Sequence, residues 1–566
     1  MANVGIERTK LDNLATSISA KSCIPLPLKV DDMIDAVDGI PKEWKQVNFI
    51  DFDGELVASY TSEVAMSLTS LPPNPSHEGL TSQGWNWTLA QIKTQLTYMP
   101  DGEITVGQMY VTSSGKTEID VHLVDANYLS PYLTIAISGT VVIDWGDGRS
   151  DSVTGTSTQN QKYILHSYYS IGDYTITIDT SNGQIAFRSG SNSYPALFSP
   201  KDKSGQSSRE YSNIAVAVRL GTNVELAYGS FVYCYALRTI TIPSYITSMG
   251  NYLFQNCGSL ESATIPSNNT TIGSGCFDDC GALKTVSTPF SITSIEGAAF
   301  QNCTVLRSIT ISSEVTSLGG NAIRACRALK HVSLPDSITA INSYTFYDCS
   351  SLQSITLPKN VTSMASYTFT GCTSLYSIKI PHGATSIGTY AFSACNRLSS
   401  IDIPSSVTSI ADYAFQNCYS LKSVAIPSGV VSIGISAFSS CRSLGEISIP
   451  NGVTYLNNNV LYSCYDLRNI SIPNSVTSIG NNAIYQMYTL RKITIPSSVT
   501  SIGSSAFAYS YAMEEYHFQS VTPPTIGSNA FVGIPSDCKI YVPAASLSAY
   551  QTATNWSTYA SYMVGE

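Results

Sequence analysis

The residues that first invite a chemical reading are cysteines. Cys234, Cys257, Cys280, Cys303, Cys326, Cys349, Cys372, Cys395, Cys418, Cys441 and Cys464 follow one another at intervals of 23 residues, and Met487 and Ser510 continue the column. Sulfur at a fixed interval could bind a metal or form cross-links. A zinc site needs Cys-x-x-Cys pairs, or Cys and His, converging on one point. Cys276 and Cys280 are the one close pair, and no histidine joins them. Cross-links between stacked neighbours would span about 4.8 Å between Cα atoms, an allowed distance, but parallel Cβ vectors aim the sulfurs badly. The column also holds an odd number of cysteines, and neither Met487 nor Ser510 can form a disulfide. The column therefore reads as a small, weakly polar core filler at a tight bend.

The elements that would position such a column repeat with it. Three residues before it stand Phe231, Phe254, Phe277, Phe300, Ile323, Phe346, Phe369, Phe392, Phe415, Phe438, Leu461, Ile484 and Phe507. Three residues after it a leucine recurs from Leu237 to Leu490, ending with Met513. Between them lie a strand-like I-x-I-P, as in Ile401 to Pro404, and a V-T-S-I, as in Val407 to Ile410. A fixed period in the twenties with matched apolar columns marks a solenoid, in which each coil buries its face against its neighbours. The expectation is a mainly β chain with about 13 coils over 231–520, whose I-x-I segments stack as a parallel sheet. The consensus L-x-S-I-x-I-P-x-S-V-T-S-I-G-x-x-A-F-x-x-C resembles the BspA-like leucine-rich repeat family. That resemblance implies a binding scaffold of the kind seen in bacterial surface adhesins. The closing "CKIYVPAASLSAYQTATNWSTYAS" resembles the segment that ends such arrays, which makes 521–566 a C-terminal cap.

Ahead of the repeats the pattern changes several times. Residues 1–45 read as two short helices, an attachment or oligomerisation piece; 46–128 alternate strand-like runs with a helix around "TLAQIKTQLTYM", a small α/β module. "DFDG" at Asp51 to Gly54 lacks the later ligands of a calcium loop and reads as a turn. Over 129–195, "DWGDG" followed by "HSYYSIGDYTITI" resembles the polycystic kidney disease (PKD) type immunoglobulin-like sandwich, on Asp144, Trp145, Gly146, Asp147, Gly148, His166, Tyr168, Gly172 and Tyr174. Asp144 and Asp147 read as turn-forming carboxylates that bond their own backbone. Residues 196–230 would connect this sandwich to the solenoid and cap its start.

Composition narrows the function. Charged residues are 12% of 566, about half the usual share, so the surface is polar through hydroxyls and amides. A formal charge of −10 leaves no basic stripe for nucleic acid. No apolar run of about 18 residues and no leader-like N-terminus are present, so neither membrane insertion nor export by a readable signal is expected. The six histidines are scattered, with no H-E-x-x-H, G-x-S-x-G or phosphate-binding loop. The reading is non-enzymatic, without cofactor or metal.

Binding is left, and the position after the cysteine column carries it. In the last coils that position holds Tyr419, Arg442, Tyr465, Tyr488 and Tyr511, while Tyr462 and Tyr485 stand two before the column. Tyrosines in register supply rigid, amphipathic contact area; the same ladder could also simply stiffen the coil edge. The N-terminal "TKLDNLATSISAKSCIPLPLKVDDMIDAVDGI" resembles the helical starts of tail and fibre proteins of phages and prophages of gut Firmicutes. That resemblance implies a virion-associated fibre or receptor-binding protein made in the bacterial cytoplasm. Its N-terminal region would dock to other virion proteins, and its solenoid would meet a protein or glycan on a bacterial or mucosal surface. The alternatives are a BspA-type adhesin at the bacterial cell surface and a structural virion decoration without a receptor.

Overall fold

The computed structural model describes residues 46–99, 103–188, 197–199 and 213–566. The two helices read over 1–45 lie outside the described residues. The chain opens with a mixed four-stranded sheet, built from β1 (Gln46–Ile50), β2 (Leu56–Thr61), β3 (Leu80–Trp85) and β4 (Ile104–Thr112) in the order β2-β1-β4-β3. Two helices accompany it. Thr61 caps α1 (Ser62–Ser67), and a reciprocal Thr88–Gln91 capping box starts α2 (Leu89–Tyr98), whose Ile92 and Leu96 complete a small core with Phe49 and Trp85. The "DFDG" run is a turn: Asp51 Oδ1 accepts from the Phe52 N–H at 2.8 Å, and Gly54 takes φ +89°.

The boundary expected at residue 128 falls earlier. Strand β5 (Thr117–Leu123) already belongs to the next sheet, which runs β12-β10-β5-β8-β6-β7 with β6 (Tyr132–Asp144), β7 (Ser150–Leu165), β8 (Gly172–Phe187), β10 (Ala215–Arg219) and β12 (Thr239–Thr241). Short β9 (Phe198–Ser199) and β11 (Val224–Leu226) pair with β6 and β8. The stretch expected as a separate sandwich is thus part of one eight-stranded sheet that also takes in β5 and the first solenoid strand. Long β6, β7 and β8 meet at aligned glycines: Gly139 faces both Gly155 and Gly183. A Cβ on Gly155 would stand 2.1 Å from the Ile137 carbonyl oxygen, so only glycine lets the strands approach there. Because β10 pairs in parallel with β12, this sheet caps the solenoid, and one apolar core runs from Ile119 to Met563.

The residues that suggested a sandwich do converge. Trp145 is buried, stacks on His166 at 4.4 Å, and its carbonyl accepts from the Tyr168 hydroxyl at 3.2 Å. Asp144 Oδ1 accepts from the Gly146 N–H and Asp147 Oδ1 from the Arg149 N–H, as turn carboxylates do. Burial alone would raise the pKa of Asp147. Hydrogen bonds from Arg149 and from His166, at 2.9 Å, overcome that and hold it at about 2.

In the solenoid the I-x-I strands pair in parallel with an offset of 23 residues, as in Ser400↔Ser423 and Glu446↔Asn469. A second line of two-residue strands runs beside them from the T-S-I segments, as in Ser386↔Ser409. Phenylalanines stack coil on coil, Phe346 through Phe438, with centroids 5.3–5.5 Å apart. The C-terminal segment does more than cover the end. Lys539–Val542 and Met563–Gly565 add two further rungs to the same sheet, while Trp556 and Tyr559 close over Phe531 and Tyr550 packs on Trp556.

The cysteine column lies fully buried at the bend, and each thiol has a partner. From Cys257 to Cys464 every Sγ–H donates to the carbonyl of the large apolar residue of the preceding coil, as Cys395 does to Phe369 at 3.2 Å. The same carbonyl already accepts a backbone N–H in its own coil, as Phe369 does from Cys372, so the thiol uses its second lone pair. Cysteine fits because it is small, apolar enough to bury and still a donor. The thiols are also inert: burial pushes Cys234, Cys349, Cys418 and Cys464 up to about 12. Because the thiolate is the reactive form, an alkylating reagent at neutral pH is expected to leave these cysteines unlabelled in the native protein. It should modify all of them after denaturation without reductant. Mass shifts that pair up cysteines would overturn this.

Candidate binding surface

Each coil turns twice through left-handed backbone. One such residue precedes the cysteine, as Asn256, Asp279, Asn302 and Gly371 do, and the other stands five before it. Side chains from these turns and from the position after the cysteine project along one edge of the solenoid, and this edge gathers the tyrosines.

The residues singled out from the sequence come together here. Arg442 lies over the Tyr419 ring at 4.4 Å and over Tyr465 at 5.6 Å. Tyr465 stacks on Tyr488 at 4.6 Å, and Tyr488 leads to Tyr511 at 5.6 Å, tilted by 35°. A second ladder runs beside it, with Tyr462 on Tyr485 at 4.8 Å and Tyr485 edge-on to Tyr509. At the tip the ladders meet, Tyr509 and Tyr511 being 6.1 Å apart. Exposure grows toward that tip: Tyr488 is 42% and Tyr511 55% exposed. Partial burial and the neighbouring phenols push the pKa of Tyr485 and Tyr488 upward, so these two phenols keep their protons at neutral pH.

A further ladder escaped the sequence reading. Tyr344, Tyr367, Tyr390 and Tyr413 stack at 4.6, 4.8 and 4.4 Å, with the Arg324 guanidinium 5.9 Å from the first ring. All four have φ between 56° and 62°. Left-handed backbone costs a non-glycine residue about 1–2 kcal/mol, and the same column elsewhere uses Gly275 or Asn459. Ala298, Ser436 and Ser505 take the same conformation in other coils, so the turn does not itself select tyrosine. The 23-residue column would have revealed the ladder, had it been read five positions before the cysteine as well as after it.

The strand face is occupied at one end. Residues 46–112 sit on coils near the start of the solenoid, where Asn86 Nδ2 donates to the carbonyls of Ile265 and Ser287, and Trp87 Nε1 to that of Thr288 at 2.7 Å. Gln95 reaches the carbonyl of Ile311, and the Thr105 N–H donates to Thr310 Oγ1. The tyrosine edge is free of this module in the described residues. No group of three or more His, Cys, Asp or Glu among the described residues could hold a metal ion, and no helix among them is long and apolar enough to cross a membrane.

Parallel strands in register, two lines of short sheet and an internal aromatic column define a leucine-rich-repeat β-solenoid that carries an aromatic edge. The chain belongs to the BspA type leucine rich repeat family, whose family model matches residues 220–330, 293–422 and 408–539. It shares the fold of a leucine-rich repeat protein from Bacteroides ovatus, with 27% identity and a TM-score of 0.54, covering 63% of this chain and 96% of that one. It is also similar to a leucine rich cell surface protein from Faecalibacterium prausnitzii, with 33% identity over 48% of this chain and 83% of that one, at a TM-score of 0.38. No curated protein matches the chain.

Proposed function

We propose that the chain is a non-enzymatic, adhesin-type binding protein displayed at a bacterial surface, which holds its partner along the tyrosine edge of the solenoid. The observation that carries this is the unbroken run Tyr419–Arg442–Tyr465–Tyr488–Tyr511, stacked in register and most exposed at its tip. Stacked rings arrive preorganised, so little side-chain entropy is lost on contact, and Tyr and Arg are the side chains that dominate interface energetics. The family's association with surface adhesins supports the same reading.

The virion-fibre reading asks residues 1–128 to attach the protein to a particle. Residues 46–112 are packed against the solenoid through one face, and the family match, which extends over the repeats, makes the surface adhesin the better supported of the two. Neighbouring genes separate them: export or sorting genes fit the adhesin, and tail or baseplate genes would replace it. The test of the site is binding of the purified chain to host cells. Tyr465→Ala, Tyr488→Ala and Tyr511→Ala together should lower affinity about a hundredfold, since each hot-spot truncation costs more than about 1 kcal/mol. Equal binding by both proteins would dispose of the tyrosine edge.

A further inference from the structure

The tyrosine ladders have a period, and a ligand that follows them must share it. Ring centroids repeat at 4.8 Å from Tyr462 to Tyr485 and at 4.6 Å from Tyr465 to Tyr488, with the planes within 5° of parallel. Rings stacked this closely cover one another's faces. What is left for a partner is the ring edges and the phenol hydroxyls, once per coil.

Three regular peptide conformations can be compared with that spacing. An extended strand returns to the same side about every 6.6–6.8 Å, about one and a half coils. An α-helix returns every 5.4 Å, slightly more than one coil, and drifts out of phase as it goes. A polyproline II helix turns once in three residues of about 3.1 Å, about 9.3 Å, which is two coils. Only the last returns in step with the coils, meeting every second rung of the column after the cysteine, Tyr419, Tyr465 and Tyr511.

Polar complementarity agrees with the period. Polyproline II has no internal hydrogen bonds, so its carbonyls are open acceptors, and the ladders offer phenol donors. The flanking positions hold Ser, Asn, Gln and Thr, and the charges within the strip are Arg442, held between two rings, and Asp466. A neutral, acceptor-rich partner suits such a strip, and tyrosine-lined surfaces are a general way of holding proline-rich segments.

We infer that the column Tyr419–Arg442–Tyr465–Tyr488–Tyr511, with Tyr462 and Tyr485 beside it, binds a proline-rich segment of a partner protein in the polyproline II conformation. This rests on the proposed binding role of the same edge and adds the partner's chemistry. The experiment is titration of the full chain with a decaproline peptide and with a Gly-Ser peptide of equal length, followed by calorimetry. Decaproline should bind saturably and the Gly-Ser peptide should not. The double variant Tyr465→Phe/Tyr488→Phe keeps the stacked rings and removes two donors. It should bind about tenfold more weakly, as expected for two neutral hydrogen bonds, with an unchanged melting temperature. No saturable decaproline binding, equal binding of both peptides, or full affinity in the phenylalanine variant would each overturn the inference. The two readings fail separately: if the triple alanine variant loses host-cell binding and decaproline neither binds nor competes, the adhesive edge stands and the proline-rich ligand falls. If decaproline binds through the tyrosines while host-cell binding ignores them, the adhesive reading falls instead.

Discussion

Phe392→Ala is expected to destabilise the solenoid by about 3–5 kcal/mol, the usual cost of truncating a buried phenylalanine. Phe392 is fully buried and lies between Phe369 at 5.5 Å and Phe415 at 5.4 Å, so its removal opens a gap in the aromatic column. In a stack of coils stability is a chain of nearest-neighbour terms, and a weakened link near the middle uncouples what lies on either side. Chemical denaturation should therefore change from one transition to two, and limited proteolysis should cut near residue 392 first. Phe392→Leu is the control. Leu461, Ile323 and Ile484 already occupy this column, so an aliphatic residue of similar volume should cost less than about 1.5 kcal/mol. A Phe392→Ala protein that unfolds in one transition at the parent's denaturant concentration would refute this account of the core.

Why the solenoid was legible from sequence and other features were not follows from where the constraint acts. A coil must bury the same face as its neighbours, so Phe392, Leu398, Ile401 and Cys395 each belong to a column, and every column can be read without coordinates. The column repeats, so the cysteine reads as a core filler and its thiols are buried, but its role as donor to Phe369 depends on which carbonyl faces it across the coil boundary, and the sequence carries no mark of that. The strip from Tyr419 to Tyr511 was legible because it repeats. The single sheet joining β5 to β12 was not, because pairings such as Ala217 with Thr239 and Val218 with Ile119 are made once. Signature residues around Trp145 describe a local cluster, and that cluster is equally at home in a larger sheet whose β6, β7 and β8 meet at Gly139, Gly155 and Gly183.

The docking of residues 46–112 is the other one-off contact, and in hindsight it left a trace. Strand positions facing outward in the covered coils are Ser262, Thr264, Ser287 and Thr310, all small and buried, whereas later coils place Lys379, Asp402, Glu446 and Lys492 at such positions. Gly107 belongs to the same trace. A Cβ there would stand 2.3 Å from Thr264 Oγ1 and 2.8 Å from Ser287 Cβ, so β4 lies directly on these small side chains with no room for one of its own.

Trp87→Ala tests whether that contact holds the module in place. Trp87 is 1% exposed, its ring meets Phe290 edge-on at 5.3 Å, and its Nε1 satisfies the Thr288 carbonyl. Truncation removes the ring contacts and leaves a buried carbonyl without its donor, together about 3–5 kcal/mol. Asn86 next to it cannot compensate: its Nδ2 is shared between the Ile265 and Ser287 carbonyls, and its Oδ1 accepts from the Gly107 N–H and the Ser287 hydroxyl. The expected result is local. The solenoid coils beyond the module have their own core, so hydrogen exchange should speed up in residues 46–112 and in the strands from 262 to 313, with the strands from 400 to 495 unchanged. Uniform acceleration along the chain would mean that the module and the solenoid unfold as one unit. No acceleration would mean that the remaining hydrogen bonds from Gln95 and Thr105 suffice. If the local result is found, the bared Ser and Thr face becomes a second surface that module release could expose, on a different side from the tyrosine edge.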